Sequence, residues 1–521
     1  MFLRPSSCST LLLCLGQTVS QQVEANTASC ENAVRLLLSH DLGLSLSLDN
    51  SQLPDFQQDL LLSDSESSRP LFWAQQQSST QPACYVRASS KEDIVSVLSA
   101  SRDSGCPFAV RGGGHSDIYG ASNSPGGITI DLSGLNEIEI VESENLARVG
   151  AGLTWGTVYS ELEKRNLTVV GGRLTSVGVG GLTLGGGLSH FSGMHGWACD
   201  NVKSFEIVLA NGSVIEASAS THPDLHRALR GGGNNFGVVT RFDLTTYKQG
   251  PMWGGLHVWP YQPQVTSAIT SAFLDFAHES PSDPHVSVFA GLGYKMGLFA
   301  WAAGLYDSLG REQAPIFERF VDNEETIGTT KMMTTARITS LSDLADELDK
   351  SEPAGIRSRF TTATFKADKE LLQLMVDVFV HEVNKALDDG LKEDERFAPM
   401  LGIQPLTRNF LEESQKNGGN VMGLDVEDAP MIVCSFGWEW SRESDDEVVI
   451  RGIKAVHDQS VVAAKQRGLY RPFKYMNYAA ADQDPIRSYG SESVAFLKKV
   501  KQFYDPEGVF SKLVPGGFKI F

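Results

Sequence analysis

Three glycine clusters constrain the fold of this chain more than any other feature of its sequence. They are Gly112–Gly114, the glycine-dense run from Gly178 to Gly187, and Gly231–Gly233. Glycine loses more backbone entropy on folding than any other residue, so each cluster must meet a need for bare or unusually bent backbone. A tight turn accounts for any one of them. Three in one region favour loops whose N–H groups closely approach an anion such as a dinucleotide diphosphate.

Several common nucleotide and hydrolase sites are excluded by the motifs. The chain contains no GxxxxGK[ST], HExxH or GxSxG pattern. From Gly178 it reads Gly-Val-Gly-Gly-Leu-Thr, so Thr183 stands where a Rossmann fingerprint needs its last glycine. His190 and His195 are five residues apart, a spacing that does not stack two ligands on one helix face, so we expect packing or surface histidines. No metal site is predicted.

The net charge excludes one class of binding partner, and the chain length predicts the number of domains. The net charge of -19, from 63 acidic against 44 basic side chains, argues against a nucleic-acid partner, because such partners need concentrated positive charge. A chain of 521 residues is expected to form two or three domains. After the N-terminus, no apolar run approaches the ~20 residues of a membrane span. Arg4 followed by the short apolar run from Leu11 to Leu15 predicts a secretory signal.

The periodicity predicts an α+β fold. Ser90 is a candidate N-cap for a helix that begins at Lys91, and Asn211-Gly212 predicts a hairpin turn between two strands. Past Pro251, alternating segments such as "HVSVFAGLGY" and "MIVCSFGWEW" predict antiparallel strands with helices between them. The expected division is a signal peptide at 1–20, an N-terminal segment at 21–80, a first domain at 81–250, a second domain at 251–467 and a C-terminal segment at 468–521.

The order of the motifs is specific. The stretches "FAVRGGGHS", "VGVGGLTLGGGLSHFSGMHGWACDNV" and "LRGGGNNFGVVTRF" together resemble the FAD-binding module of the vanillyl-alcohol-oxidase and p-cresol-methylhydroxylase superfamily. The tail "YMNYAAADQDPIRSYG…LKKVKQFYDPEGVF" is similar to the C-terminal segment of its berberine-bridge-enzyme-like branch, fungal type. The resemblance therefore implies a PCMH-type FAD-binding domain, plus a substrate domain whose antiparallel sheet is flanked by helices.

FAD is the cofactor that the resemblance implies. His115 matches the family histidine that bonds covalently to the flavin 8α-methyl group, and a noncovalent flavin is the alternative. A second, cysteinyl link is not expected, because Leu174 stands where bicovalent members carry their cysteine. The buried small hydrophobe Cys199 lies in another element. The other positions that match family contacts to FAD are Gly112, Gly113, Gly114, Ser116, Val177, Gly178, Val179, Gly180, Gly181, Asn201, Gly237, Val238 and Val239.

A tyrosine of the "Y-x-N-Y" strand often serves as general base in the family. Tyr478 matches it, with Tyr475 and Asn477 as second candidates. A phenol titrates near pH ~10, so it needs nearby positive or hydrogen-bonding groups to act as a base. A packed aromatic is the alternative interpretation of Tyr478. Glu439, between two tryptophans, is an alternative base, because burial would raise its pKa.

Secretion has further signals. The resemblance implies a disulfide between Cys30 and Cys84, which would support a secretory route. Asn166-Leu-Thr and Asn211-Gly-Ser are candidate glycosylation sequons. We therefore expect a secreted protein or one of the secretory pathway, with a vacuole or vesicle as the alternative location.

The function that the resemblance implies is an oxidase. A small organic substrate would lose a hydride to flavin while a base removes a proton, and O2 would reoxidise the flavin to give H2O2. Fungal members often act in secondary metabolism. The alternatives are a carbohydrate or alcohol oxidase, a dehydrogenase with another acceptor, and a flavin-bearing cyclase without net redox change. The sequence names neither the substrate nor the oligomeric state.

Overall fold

Three β-sheets organise the chain in the computed structural model, which describes residues 29–37, 45–48, 71–321 and 327–521. The predicted signal segment at 1–20 lies outside the described residues. The strands are β1 (Ser45–Leu48), β2 (Cys84–Arg87), β3 (Phe108–Arg111), β4 (Ile128–Asp131), β5 (Ile138–Val141), β6 (Leu146–Gly150), β7 (Leu167–Val169), β8 (Val202–Val208), β9 (Val214–Ser218), β10 (Val238–Lys248), β11 (Met252–Pro260), β12 (Val286–Lys295), β13 (Leu298–Asp307), β14 (Met333–Thr334), β15 (Arg337–Thr339), β16 (Arg357–Lys366), β17 (Ala398–Leu406), β18 (Met431–Trp440) and β19 (Tyr470–Arg471).

Helices connect the strands. The α-helices are residues 29–37, Gln75–Ser78, Lys91–Ser104, Trp155–Glu163, Val179–Leu184, Ser192–His195, Pro223–Leu229, Pro263–Glu279, Glu318–Val321, Leu341–Ser351, Lys369–Asp388, Arg408–Ser414, Asp446–Gln466, Pro485–Ser488, Ser491–Tyr504 and Val509–Lys512.

Two local predictions are confirmed. The Ser90 side chain accepts from the Asp93 N–H in a capping box that begins the helix Lys91–Ser104. Strands β8 and β9 pair antiparallel across the Asn211-Gly212 turn, where Gly212 adopts a φ of 82°.

The first two sheets lie in the N-terminal half. One has the order β1-β2-β4-β3, in which β4 runs parallel to both β2 and β3. The other has the order β5-β6-β10-β8-β9, with β7 also paired to β10, and is antiparallel. Strand β3 runs directly into Gly112–Gly114, so the first glycine cluster begins at the end of a parallel strand.

The third sheet is a separate, wholly antiparallel layer. Its order is β14-β11-β13-β12-β17-β18-β16-β19, with β15 also paired to β11. The helices Lys369–Asp388 and Asp446–Gln466 bury apolar faces in the same core as this sheet. An antiparallel sheet flanked by helices was expected here, and the α+β fold class is confirmed.

The C-terminal segment joins the two halves. Its strand β19 pairs with β16 of the third sheet. Farther along, the Leu513 carbonyl accepts a hydrogen bond from the Phe108 N–H at the start of β3. The tail therefore returns to the sheet that carries the first glycine cluster.

The predicted Cys30–Cys84 disulfide is wrong. Cys30 pairs with Cys106, and their Cα atoms are 4.8 Å apart, within the range that a disulfide spans. Cys106 follows Gly105, whose left-handed φ of 74° ends the preceding helix and turns the chain back toward Cys30. Cys84 is a free, buried thiol at the start of β2, and burial raises its pKa to about 12.

Within the described ranges, no helix is long and apolar enough to cross a membrane. The same part of the chain brings together no group of three or more His, Cys, Asp or Glu side chains fit to hold a metal ion.

Candidate cofactor and substrate site

Two of the glycine clusters are in contact. A Cβ added to Gly113 would stand 2.3 Å from the backbone nitrogen of Gly178, and one added to Gly178 would stand 2.3 Å from that of Gly113. No side chain fits at either position. The bare backbone of the first cluster thus packs directly on the start of the second, and the helix Val179–Leu184 begins there.

The last glycine of the first cluster turns the chain. Gly114 adopts a φ of 69°, a left-handed conformation that other residues rarely take. Its carbonyl accepts a hydrogen bond from the Trp73 N–H at 3.0 Å. The Trp73 ring stacks on His115, with 4.7 Å between centroids and 12° between planes. The segment before β2 therefore fixes the plane of the predicted flavin anchor.

His115 has polar partners on its other side. Its Nε2 lies 3.0 Å from the Ser176 hydroxyl. That hydroxyl donates a short hydrogen bond to the Asp349 carboxylate, which also accepts from the Ser176 N–H at 3.0 Å. Burial lowers the pKa of His115 to about 4, against the opposing charge of Asp349. The imidazole is therefore neutral at physiological pH.

Tyr475 and Asn477 contact the second glycine cluster. The Tyr475 hydroxyl accepts from the N–H groups of Gly187 and Leu188, at 3.2 and 3.1 Å, and burial raises its pKa. The Asn477 amide donates to the Leu182 carbonyl and to the Tyr475 hydroxyl. These contacts dock the C-terminal segment on the second glycine cluster.

Tyr478 lies in a short 3-10 helix, Met476–Tyr478, rather than on the strand expected for "YMNY". Within the described residues this segment pairs with no strand. Its Tyr475 hydroxyl is instead bonded to the N–H groups of Gly187 and Leu188. The Tyr478 hydroxyl accepts from Arg173 at 2.9 Å and lies 3.5 Å from the Gln404 amide nitrogen. It is thus the one predicted catalytic tyrosine whose oxygen meets a cation.

The charge of Arg173 affects the pKa of Tyr478. Burial raises this pKa, and the Arg173 guanidinium opposes the rise both by its charge and by its hydrogen bond. Arg173 donates in turn to the side-chain amide oxygen of Gln404 at 2.7 Å. Its Cζ atom also lies over the Phe289 ring, 5.0 Å from the ring centroid. The cation is therefore fixed in place by groups other than the tyrosine.

A row of aromatic rings connects the anchor with the tyrosine. His115 stacks on Trp73, Trp73 lies 6.0 Å from Phe360, and Phe360 lies 6.0 Å from Tyr478 between ring centroids. Phe360 belongs to β16 of the third sheet. The structure therefore brings His115 and Tyr478 to one cluster, at the junction of the two halves.

Glu439 is a partly buried residue on β18, and this burial raises the pKa of its carboxyl to about 8. Glu352 adds to this shift by its charge, while Lys295 opposes it. The pKa of Glu352 is itself raised to about 7, chiefly by burial. Glu439 therefore fits an acid or base role by its pKa, but its charged neighbours are Glu352 and Lys295 rather than the Arg173–Tyr478 pair.

The remaining predicted FAD contacts divide into two groups. Ser116, Val177, Val179, Gly180 and Gly181 lie beside the two contacting glycine clusters in the chain. The others lie in the packed interior: a Cβ on Gly237 would meet the Ile207 side chain at 2.6 Å, and Val238 and Val239 pair with β8.

The side chain of Asn201 makes hydrogen bonds within the protein. Its amide nitrogen donates to the carbonyls of His195 and Trp197, each at 2.8 Å, and its oxygen accepts from the Tyr247 hydroxyl at 2.7 Å. This side chain therefore positions the loop between the second glycine cluster and β8.

Both histidines set aside from the sequence pack against rings, as expected. His190 is buried 4.0 Å from Tyr306, and His195 stacks 3.8 Å from Tyr247. Burial lowers the pKa of both imidazoles, that of His195 to about 4.

Sequence reasoning missed Arg173, Gln404 and Asp349. Arg173 directly follows Gly171-Gly172 and precedes the second cluster, so its position near bare backbone was a usable signal. Gln404 lies on a strand and Asp349 in the helix Leu341–Ser351, where ordinary polar residues carry no motif.

Comparisons with known proteins identify an FAD-binding region in this chain. A family model described as FAD binding domain matches residues 82–218, which include both contacting glycine clusters. FAD-dependent monooxygenase tpcD of Cochliobolus heterostrophus is 66% identical over 501 residues, covering 96% of each chain. FAD-dependent monooxygenase FUP4 of Fusarium proliferatum is 62% identical over 511 residues, covering 98% of each.

Solved structures share the fold at low sequence identity. Carbohydrate oxidase from Microdochium nivale superposes with a TM-score of 0.71 at 20% identity, covering 92% of this chain and 98% of the other. Glucooligosaccharide oxidase from Acremonium strictum, described with a 6-S-cysteinyl, 8α-N1-histidyl FAD, gives 0.70 at 18% identity, covering 94% and 99%.

Proposed function

Because this chain belongs to the family of fungal FAD-dependent monooxygenases, FAD-linked oxidoreductases of the vanillyl-alcohol-oxidase type, we propose that it oxidises a small organic metabolite with covalently held FAD. Fungal secondary metabolism is the setting we propose for it. In this proposal Tyr478 removes a proton from the substrate, and dioxygen is the final electron acceptor.

The residues present fit FAD on two observations. Side chains are excluded at Gly113 and Gly178, where the two glycine clusters pack backbone against backbone, so a diphosphate bound beside this contact would meet main-chain N–H groups rather than side chains. The imidazole of His115 is neutral and carries a lone pair, as a bond to the flavin 8α carbon requires. His115 would hold the flavin ring, and the two glycine clusters would hold the diphosphate.

Flavin, when bound, supplies hydride acceptance and reoxidation by O2. The protein supplies the base. The Tyr478 hydroxyl would take the proton of a substrate O–H or C–H group, and the Arg173 guanidinium would stabilise the phenolate that the base must be. Gln404 and Phe289 keep Arg173 in position during the transfer.

The Arg173–Tyr478 hydrogen bond carries the proposal. The Arg173–Tyr478 pair lies in the same cluster of aromatic rings as His115. A substrate bound over a flavin held by His115 could therefore contact the Tyr478 hydroxyl. A phenol ordinarily titrates at about pH 10, and burial raises the pKa of Tyr478 further, so the base needs the Arg173 cation to oppose that rise.

Monooxygenation is a second candidate function, favoured by the names of the 66% and 62% identical relatives. Turnover of a fungal metabolite under ¹⁸O2, with peroxide measured in parallel, separates the two. The proposed oxidase gives one H2O2 per product and no ¹⁸O in the product. Incorporation of one ¹⁸O atom, with a need for an added reductant, would replace the oxidase by a monooxygenase.

For the route through the cell, we propose secretion with glycans on Asn166 and Asn211. Both side chains are exposed, and the Cys30–Cys106 disulfide is consistent with an oxidising compartment. A mobility shift on treatment with an endoglycosidase, lost in N166Q/N211Q, tests this.

A further inference from the structure

Ser176 and Asp349 form a hydrogen-bonded chain that ends on the predicted flavin anchor. Asp349 comes from the helix Leu341–Ser351, far along the sequence from His115 and Ser176. Two hydrogen bonds join Ser176 to Asp349, and one joins Ser176 to His115. We propose that Ser176 and Asp349 are positioning residues that prepare His115 for covalent attachment of FAD. This inference rests on the attachment at His115 proposed above.

The direction of the hydrogen bonds fixes the tautomer of His115. The Ser176 hydroxyl donates its only proton to Asp349. Its oxygen can therefore only accept from His115, so the ring proton lies on Nε2. The lone pair of the neutral imidazole is then on Nδ1, which is the nucleophile left to attack.

The hydrogen bonds from His115 through Ser176 to Asp349 also provide an acceptor for the Nε2 proton. Attachment joins Nδ1 to the 8α carbon, which loses one hydrogen, while Nε2 loses the other. Two electrons pass through the flavin to dioxygen, and the two hydrogens complete H2O2. Without a partner on Nε2, bond formation would build a positive charge on an imidazole whose burial disfavours charge. Through the Ser176 hydroxyl, Asp349 can take up the Nε2 proton as that charge develops.

Ring orientation is also controlled by stacking. Trp73 stacks on the imidazole at 12° between planes, so the ring cannot rotate out of this plane about its Cβ–Cγ bond without losing that contact. The hydrogen bond to Ser176 and the stacking on Trp73 thus select the same orientation.

The test measures covalent FAD separately from total FAD. S176A and D349N remove one link each, and S176T keeps a hydroxyl. D346N is the matched control, because Asp346 lies on the same helix and its recorded ion pair is with Lys350. Each purified protein is precipitated with acid, and flavin is quantified in pellet and supernatant. The rate of further attachment in the noncovalently loaded fraction is then followed by fluorescence in denaturing gels.

We expect S176A and D349N to retain total FAD but to attach it about 10²-fold more slowly than wild type, the size typical of lost acid–base assistance. S176T and D346N should attach it at close to the wild-type rate.

Two results would overturn the inference. One is attachment in S176A and D349N as fast as in D346N. The other is a loss of total FAD together with covalent FAD, which indicates a purely structural role. A wild-type protein whose FAD is wholly released by acid would instead refute the attachment at His115 itself, and the inference with it.

Discussion

At the residue scale, Arg173 acts on Tyr478 by charge and by a hydrogen bond. Burial raises the pKa of this phenol, and both interactions with Arg173 reduce the rise. The hydroxyl of Tyr475, three residues earlier, instead accepts hydrogen bonds from two backbone N–H groups. The two tyrosines of one motif therefore have different hydrogen-bond partners, and Tyr478 is the one that bonds to the Arg173 cation.

Replacing Tyr478 by phenylalanine tests the base directly. We expect Y478F to lower the rate constant of anaerobic flavin reduction by about 10²–10⁴-fold, the usual contribution of a general base. The flavin spectrum should stay unchanged, because the ring remains for packing against Phe360. If E439Q rather than Y478F produced this loss, Glu439 would be the base.

Removing the positive charge at position 173 should move the pH dependence. The base works deprotonated, so the rate rises with pH through the pKa of Tyr478. Arg173 lowers that pKa, and R173Q should therefore shift the acid limb of the kcat profile to higher pH. Steady-state rates measured from neutral pH to above the ordinary phenol value of about 10 follow the shift, because burial keeps the pKa of Tyr478 raised. An unmoved limb would mean that the titrating group is not Tyr478.

Candidate positions were predictable where a motif carried them. The motif "RGGGH" pointed to His115 and Gly112–Gly114, and the structure places Gly113 against Gly178 and His115 beside Ser176. Their roles toward FAD are proposals. Asp349 could not be predicted, because nothing near it in sequence indicates that its helix ends beside Ser176.

At the element scale, the contact between the first two glycine clusters joins strand β3 to the helix Val179–Leu184. Strand β3 delivers Gly112–Gly114 to the start of the helix Val179–Leu184, and the two backbones touch. Local signals predicted the elements on either side, such as the Ser90 cap and the hairpin at Asn211-Gly212. The Met476–Tyr478 turn was missed, because it is shaped by contacts distant in sequence.

A single methyl group should disrupt this contact. In G178A the new Cβ would lie 2.3 Å from the Gly113 nitrogen, and overpacking of this kind typically costs about 1–3 kcal/mol. We expect a lower Tm and a lower FAD content. The control is G250A, where a Cβ would meet no atom within 4 Å. Equal Tm and FAD content in the two variants would contradict the close approach.

At the scale of the whole molecule, the site lies where two sheet systems meet. His115 comes from the half with the glycine clusters, Phe360 from the third sheet and Tyr478 from the C-terminal segment. The fold class and the FAD-binding family were predictable, because motif order along the chain carries them. The cysteine pairing was not, since it depends on how the helix 29–37 packs near Cys106.

Peptide mapping without reductant should recover Cys30 joined to Cys106, with Cys84 as a free thiol. The bond closes a loop with a sequence separation of 76 residues, so C30S/C106S should destabilise the protein by about 2–5 kcal/mol. C84S should leave the disulfide intact. A Cys30–Cys84 peptide would contradict the structure and restore the pairing that the sequence suggested.

Acid precipitation of the purified protein, with H115A beside it, tests the central claim most directly. We predict that wild type retains yellow flavin in the pellet with FAD close to one per chain. H115A should still take up FAD, because the glycine clusters would bind the diphosphate. It should release this FAD to the supernatant, because no covalent bond holds the flavin. A colourless wild-type protein that neither contains nor takes up FAD would contradict the account.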